Sequence, residues 1–258
     1  MTTLLGGQPL VPGGFDVDDG ALWTGAGVFE TLRTVTTASG RRVLCLDDHL
    51  DRLASSAAFF GWAWDRAATE RELRGLAATE PSGDLKLNVL LTESQRLLRA
   101  LPLDLARIGA PARCATMPVA PIPWLPGHVK HTSRVGWLLA VRQASRTLGE
   151  PVDEVIWRDE AGCWTEANRS NLIAIRGGEL WTAPLDGRIL AGVTRARVLA
   201  AARSLGVTVH EEAPSAAELW DELYLCSTLK ELAPVVRLDG RDGPGPGPVG
   251  ESVRAAMQ

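Results

Sequence analysis

The segment PVAPIPWLPG, from Pro118 to Gly127, divides the sequence into two parts. Its four prolines rule out a regular helix or a central strand, because proline has no backbone N–H and a fixed φ. We therefore expect residues 118–128 to be an interdomain linker. A small N-terminal α/β domain would cover 1–117 and a larger C-terminal domain 129–258. The alternative is a long surface loop within a single domain.

The part before the linker has the pattern of an α/β domain. The stretch GAGVFETLRTV (25–35) begins with glycines and continues with an alternating residue pattern, which predicts a strand. Residues 42–46 are predicted to form its hairpin partner, across a turn at 38–40. Apolar residues at helical spacing predict one helix from Asp47 and another over 67–78. Further strands are expected over 85–92 and 112–119.

The part after the linker mixes helices and strands. Helices are predicted over 133–148 and 194–205, the second stopped by Gly206, and a short one at the C-terminus. Strands are predicted over 153–157, 172–176, 180–183, 207–210 and 223–226. The fold class is therefore a mixed α/β or α+β protein of two domains.

Composition narrows the function classes. The chain has 258 residues, 45% of them hydrophobic and 22% charged, with a net charge of −4, as in ordinary globular proteins. There is no basic run for nucleic acid and no uninterrupted apolar stretch of ~18 residues for a membrane span. The four cysteines lack metal-like spacing, so we expect reduced thiols and no metal site. The N-terminus lacks the basic start of a signal peptide, which predicts a cytoplasmic location.

Lys130 stands in the segment HVKHTSR, directly after the proline-rich segment. A lysine amine attacks an aldehyde only in its neutral form. Burial or a nearby cation, for which His131 is the candidate, would lower the lysine pKa towards that form. Taken alone, a lysine here is an ordinary solvated side chain.

Three further segments contain candidate binding groups. In WTEANRSNL, Glu166 ends a turn before a strand, where a carboxylate can pair with a protonated ring nitrogen. In ILAGVTR, Thr194 is a natural N-cap, the free N–H groups at the start of the helix suit a phosphate, and Leu190 can pack on an aromatic ring. In CSTLKELAPV, Ser227 and Thr228 place two hydroxyls at a strand end. Each segment alone is an ordinary exposed acid, helix cap or turn.

The ordered set GAGVFETLR, HLDRLASSA, HVKHTSR, TEANRSNL, ILAGVTR and STLKELAPV resembles the class IV aminotransferases, the fold-type IV pyridoxal 5′-phosphate (PLP) enzymes. The likeness covers about residues 20–240. It implies a two-domain fold like that of D-amino acid aminotransferase and a homodimer acting on an amino acid-like small molecule. It also implies roles for single residues: Lys130 as the Schiff-base lysine and proton shuttle, Glu166 as the partner of the pyridine nitrogen, Arg52 with Val193, Thr194, Ser227 and Thr228 as phosphate contacts, and Leu190 as the ring-packing leucine.

Departures from the family pattern bear on the reaction. Branched-chain aminotransferases have a tyrosine where this chain has Val135, and D-amino acid aminotransferases tend to have one where it has Phe29; the single tyrosine is Tyr224. KHTSRV and FETLR are instead similar to the 4-amino-4-deoxychorismate lyases. We therefore expect such a lyase, which releases pyruvate and 4-aminobenzoate for folate synthesis, with Thr31 as a second catalytic candidate.

Two alternatives remain open. One is a transaminase of D-amino acids, branched-chain amino acids or (R)-amines, and the other is a non-catalytic relative that keeps the fold. Cations for substrate carboxylates are available at four positions, among which the sequence does not choose: Arg96, Arg99, Arg134 and Arg169.

Overall fold

A computed structural model describes residues 2–10, 16, 18–38, 40–79, 83–119, 122 and 124–257. The chain divides into two compact units. The first comprises Met1–Leu105 with Val129–Arg134, and the second comprises Ala106–His128 with Val135–Gln258.

The first unit is built on a six-stranded sheet in the order β2-β1-β6-β5-β3-β4, in which every neighbouring pair is antiparallel. Its elements in chain order are β1 (Thr2–Leu5), β2 (Gln8–Pro9), α1 (Gly20–Thr24), β3 (Val28–Thr37), β4 (Gly40–Val43), α2 (Leu46–Phe59), α3 (Arg66–Thr79), β5 (Leu85–Leu91) and β6 (Arg96–Pro102).

Alternation along β3 decides which side chains meet the helices of this unit. Successive side chains of a strand point to opposite faces of the sheet. Val28, Glu30 and Leu32 are buried, whereas Phe29 and Thr31 on the other face are half-buried. Helix α2 packs on β3 with Leu50 and Leu53, both fully buried. Glu30 is therefore buried beneath α2, although it is a carboxylate.

The second unit contains β7 (Ala112–Pro118), α4 (Val135–Leu148), β8 (Glu154–Arg158), β9 (Trp164–Ala167), β10 (Asn171–Arg176), β11 (Glu179–Trp181), α5 (Val193–Ser204), β12 (Val209–His210), β13 (Glu222–Ser227), β14 (Glu231–Leu238), β15 (Arg241–Asp242) and α6 (Pro248–Ala256). Its sheet runs β12-β11-β10-β13-β14-β7-β8-β9, with β15 paired to β14. The pairs β14–β7, β7–β8 and β11–β12 are parallel.

This second sheet closes on itself, because β9 pairs not only with β8 but also with β10, through Asn171 and Glu166. Alternation along β10 then separates two cores. Leu172 and Ala174 pack with Ile156 inside the closed ring of strands. Ile173 and Ile175 pack outward against α5 and α6.

The observed units differ from the predicted domains at two places. Strand β7 was expected at the end of the N-terminal domain, but it lies between β14 and β8 in the sheet of the second unit. Val129–Arg134 groups with the first unit, because residues 130–132 pair with β3. In the predicted linker, residues 120, 121 and 123 lie outside the described residues, as does Ser39 in the predicted hairpin turn.

Most predicted helices and strands are present within about two residues, but helix α1 and six strands were not expected: β1, β2, β6, β9, β14 and β15. β6 carries two arginines and ends at a proline, and β14 contains Pro234 in its interior. β9 was read as a turn. Glu166 therefore lies within a strand rather than at the end of a turn.

Candidate active site

Backbone hydrogen bonds hold the Lys130 segment against the start of β3. The Phe29 N–H donates to the Lys130 carbonyl at 3.0 Å, and the Thr132 N–H donates to Gly27 O at 2.8 Å. The Lys130 N–H donates to Ser56 Oγ on α2 at 3.1 Å. These bonds join HVKHTSR to GAGVFETLR, two motifs about a hundred residues apart, and thereby fix the origin of the lysine side chain.

The Lys130 amine and the Arg134 guanidinium share one aromatic ring. Lys130 Nζ lies 4.8 Å from the centre of the Phe29 ring, and Arg134 Cζ lies 5.3 Å from it. Both are cation–π distances. The amine and a permanent positive charge therefore lie against the same ring within the first unit.

Thr31 lies on the same face of β3 as Phe29, two residues further along. Its Oγ1 accepts from Asn88 Nδ2 at 2.9 Å, and Asn88 Oδ1 accepts from Arg99 Nε at 3.0 Å. Thr31 thus shares a strand face with Phe29, and a short chain of hydrogen bonds links its hydroxyl to Arg99.

His131 does not supply the cation that was expected beside Lys130. It is buried, and burial, followed by the charges of Arg134 and Lys130, lowers its pKa to about 4. The imidazole is therefore neutral at neutral pH, and that expectation is wrong. The permanent cation at the Phe29 ring is Arg134.

Arg52 is fixed by Glu30 on the other face of β3. Its Nε donates to Glu30 Oε1 at 2.7 Å and its Nη2 to Oε2 at 2.8 Å, and His49 Nδ1 lies 2.8 Å from Oε2. Burial alone would raise the pKa of Glu30, but Arg52 and His49 outweigh it and lower the pKa to about 2. Glu30 is therefore ionised. The residues forming this arrangement, apart from Arg52, were missed at the sequence level, although Glu30 lies within FETLR.

Glu166 is oriented by the closure of the second sheet. Its Oε2 accepts from Asn171 Nδ2 at 3.1 Å and from the Leu190 N–H at 3.1 Å. The same Asn171 nitrogen donates to Leu190 O at 2.9 Å. One amide side chain thus ties TEANRSNL to ILAGVTR. Asn171 was not singled out from the sequence, and its place in the TEANRSNL motif is the signal that could have identified it.

Helix α5 begins next to this carboxylate. Its N-cap is Gly192 rather than Thr194, and no side chain caps it. A Cβ at Gly192 would lie 1.9 Å from Asn171 Oδ1, so only glycine lets the chain pass this close. Val193 and Thr194 are the first two residues of the helix, and both are buried.

Ser227 and Thr228 lie at the end of β13. Asn171 of β10 is paired with Cys226 of β13, so the two hydroxyl residues follow directly after the strand position opposite Asn171. Both are half-buried. Within the second unit, the structure therefore brings Glu166, Leu190, Val193, Thr194, Ser227 and Thr228 to neighbouring elements.

Two of the four candidate arginines are bound to other groups. Glu72 of α3 holds Arg96 through Nε at 3.1 Å and through Nη2. Arg169 donates to Asp153 O at 2.6 Å and lies 3.8 Å from Glu154. Arg99 is hydrogen-bonded to Asn88, whose amide also bonds Thr31, and Arg134 lies against the Phe29 ring.

The amino-acid sequence matches a known family. The family model described as Amino-transferase class IV matches residues 27–238. A D-alanine aminotransferase of Bacillus licheniformis is 26% identical over 94% of this chain and 90% of its own length. A probable branched-chain-amino-acid aminotransferase of Thermotoga maritima is 31% identical over 85% of this chain and 81% of its own length. The chain belongs to the class IV aminotransferase family.

Solved structures show the same fold. A branched-chain aminotransferase from Thermoproteus uzoniensis with norvaline aligns over 100% of this chain and 93% of its own, with a TM-score of 0.84 and 25% identity. A hypothetical aminotransferase from Mycobacterium tuberculosis aligns over 100% and 99%, with a TM-score of 0.84 and 26% identity. The prediction of a fold-type IV enzyme is confirmed.

Class IV aminotransferases are PLP-dependent enzymes, so this chain is an enzyme and PLP is its cofactor. The residues present suit that group. PLP carries a phosphate dianion, and each unit taken by itself offers a group of the kind that binds one: Arg52 in the first unit, and in the second a helix start without a side-chain cap. A pyridinium N–H needs a carboxylate acceptor, and Glu166 is a half-buried carboxylate held in one orientation.

Two features of the described residues bear on other functions. None of the helices described has both the length and the apolar character needed to cross a bilayer. No group of three or more His, Cys, Asp or Glu side chains that could hold a metal ion occurs within the described part of the chain.

Proposed function

We propose that this enzyme transfers the amino group of an amino acid to a 2-oxo acid. The support is that the D-alanine and branched-chain aminotransferases match it over most of their length and of its own. The observation that carries the proposal is the placement of Lys130, whose backbone is bonded to β3 and α2 and whose amine lies against the Phe29 ring.

We propose Lys130 as the residue to which PLP attaches and as the group that moves the proton at the substrate α-carbon. Glu166 would accept a hydrogen bond from the pyridine N–H. The remaining contacts with the cofactor would come from Leu190, which would pack on the ring, and from five residues that would bind the phosphate: Arg52, Val193, Thr194, Ser227 and Thr228.

When bound, PLP supplies an aldehyde that captures an amino group and a ring that delocalises the electron pair left at the α-carbon. The protein residues have three tasks. Glu166 would accept the hydrogen bond of the pyridine N–H, because Asn171 and the Leu190 N–H hold its carboxylate in place. Lys130 acts as general base and then as general acid. Arg134 would bind the substrate carboxylate, because its guanidinium lies at the same ring as the Lys130 amine.

The test is half-transamination followed by absorption spectroscopy. Purified enzyme loaded with PLP is mixed with D-alanine, L-leucine or a chiral amine, and the conversion of the PLP band to the pyridoxamine band is followed. We expect conversion with at least one amino acid. Lys130→Ala should lose both the PLP absorption band and the conversion. Absence of conversion with all donors would contradict the transaminase proposal.

The second candidate is 4-amino-4-deoxychorismate lyase, and a specific observation favours it. The positions where related transaminases have a tyrosine hold Phe29 and Val135. The single tyrosine, Tyr224, is buried in the core of the second unit and is hydrogen-bonded to Glu222 at 2.8 Å. The hydroxyl of the single tyrosine is therefore engaged within the core of the second unit.

An assay that follows 4-aminobenzoate and pyruvate from aminodeoxychorismate decides between the two candidates. Release of both products without pyridoxamine formation would establish the lyase and contradict the transaminase. The homodimer implied by the family resemblance and the cytoplasmic location expected from the N-terminal sequence remain predictions, and sedimentation of the purified enzyme tests the first of them.

A further inference from the structure

Glu30 is a carboxylate with no exposed surface, on the strand face that also carries the fully buried Val28 and Leu32. It meets Arg52 through two parallel hydrogen bonds of 2.7 and 2.8 Å, and His49 Nδ1 lies 2.8 Å from its Oε2. A buried ion pair of this kind costs desolvation and by itself is weak evidence for a role in stability. Its presence beneath α2 therefore calls for another explanation.

We propose that Glu30, supported by His49, is the positioning residue that fixes the Arg52 guanidinium for the phosphate of PLP; this rests on the proposed role of Arg52. The bidentate pair occupies the edge of the guanidinium formed by Nε and Nη2. The planar group is then confined to one orientation, and its Nη1 edge faces away from Glu30.

Preorganisation is the physical advantage. A free arginine side chain has many rotamers and loses that freedom when it binds an anion. The Arg52 side chain is already confined, with an exposed fraction of 10%, and its direction is set by Glu30. Phosphate binding would therefore lose little conformational entropy at this residue.

The negative charge of Glu30 has the opposite effect on phosphate binding. Glu30 neutralises Arg52 overall, so its removal would increase the long-range attraction for a phosphate. However, an amide at position 30 could not accept two hydrogen bonds from the guanidinium in the same way, and buried donors of Arg52 would be left without acceptors. The side chain would then leave its present orientation. We therefore expect the loss of orientation to outweigh the gain in charge.

The experiment compares PLP with pyridoxal, which lacks the phosphate. The apo form of the full chain is titrated with each compound, and the two dissociation constants are measured for the wild type, Glu30→Gln and Glu72→Gln. Glu72→Gln is the matched control, because Glu72 also holds an arginine, Arg96, in the same unit. We expect Glu30→Gln to weaken PLP binding about tenfold while pyridoxal binding changes less than about twofold. The control should leave both unchanged.

A second variant covers the case in which Glu30→Gln does not fold. His49→Leu removes one partner of Glu30 and leaves both bonds to Arg52, so we expect a smaller loss, about threefold, again only for PLP. Equal losses for PLP and pyridoxal would show a purely structural role and overturn the proposal. Unchanged or tighter PLP binding in Glu30→Gln would overturn it too, as would unchanged PLP binding in His49→Leu if that variant is the only one that folds. If the wild type bound no PLP, the proposed function would fail first, and this inference with it.

Discussion

Replacement of Gly192 by alanine should disrupt the arrangement that holds Glu166. The added Cβ would lie 1.9 Å from Asn171 Oδ1, far inside the contact distance of carbon and oxygen, so the Asn171 amide must move. That amide donates to Glu166 Oε2 at 3.1 Å and to Leu190 O at 2.9 Å. Loss of both hydrogen bonds, at about 1 kcal/mol each, predicts a decrease of about 2 kcal/mol in the free energy of unfolding.

Two measurements test Gly192→Ala. Urea unfolding of the apo form gives the free energy of unfolding, and a PLP titration gives the cofactor affinity. We expect the affinity to fall at least about fivefold, because Glu166 loses one of the two donors that orient it. The control is Gly75→Ala, in the exposed middle of α3, where a Cβ meets no atom within 4 Å.

The control should raise the free energy of unfolding by up to about 1 kcal/mol, because alanine has the better helix propensity. It should leave PLP affinity unchanged. If Gly192→Ala had the stability and the PLP affinity of the wild type, the chain at Gly192 would have room for a methyl group, and the account of how Glu166 is held would be refuted.

Two further predictions concern Glu30 and Tyr224. Folding lowers the pKa of Glu30 from 4.5 to about 2. Ionisation of Glu30 therefore adds about 3 kcal/mol to the free energy of unfolding above pH 4.5. This contribution should disappear as the pH falls from 4.5 towards 2. Urea unfolding across this range should show a steeper loss of stability for the wild type than for Glu30→Gln, and parallel curves would contradict the depressed pKa. Tyr224→Phe should destabilise the chain by about 1–3 kcal/mol, because the hydroxyl bonds both Glu222 and the Gly247 N–H at 2.8 Å, while PLP absorption stays unchanged. A lost PLP band with normal stability would instead place Tyr224 in the active site.

The sequence alone was sufficient for the family and the fold. Six short motifs in a fixed order identified a fold-type IV enzyme, and local periodicity located most helices and strands. Strands β6 and β14 were missed, because arginines and a proline hide the alternation that marks a strand. β7 was assigned to the wrong unit, because the pairing of a strand depends on residues far away in the chain, here β14 and β8.

Residue types suggested candidate reactive groups but not the groups that contact them. Lys130, Glu166 and Arg52 were proposed from the motifs around them. That Lys130 shares the Phe29 ring with Arg134, that His131 is neutral, that Glu30 orients Arg52 and that Asn171 orients Glu166 were decided only by the tertiary structure. The physical reason is that hydrogen bonds and pKa values depend on distance and burial, which join strands and helices that lie far apart in the chain.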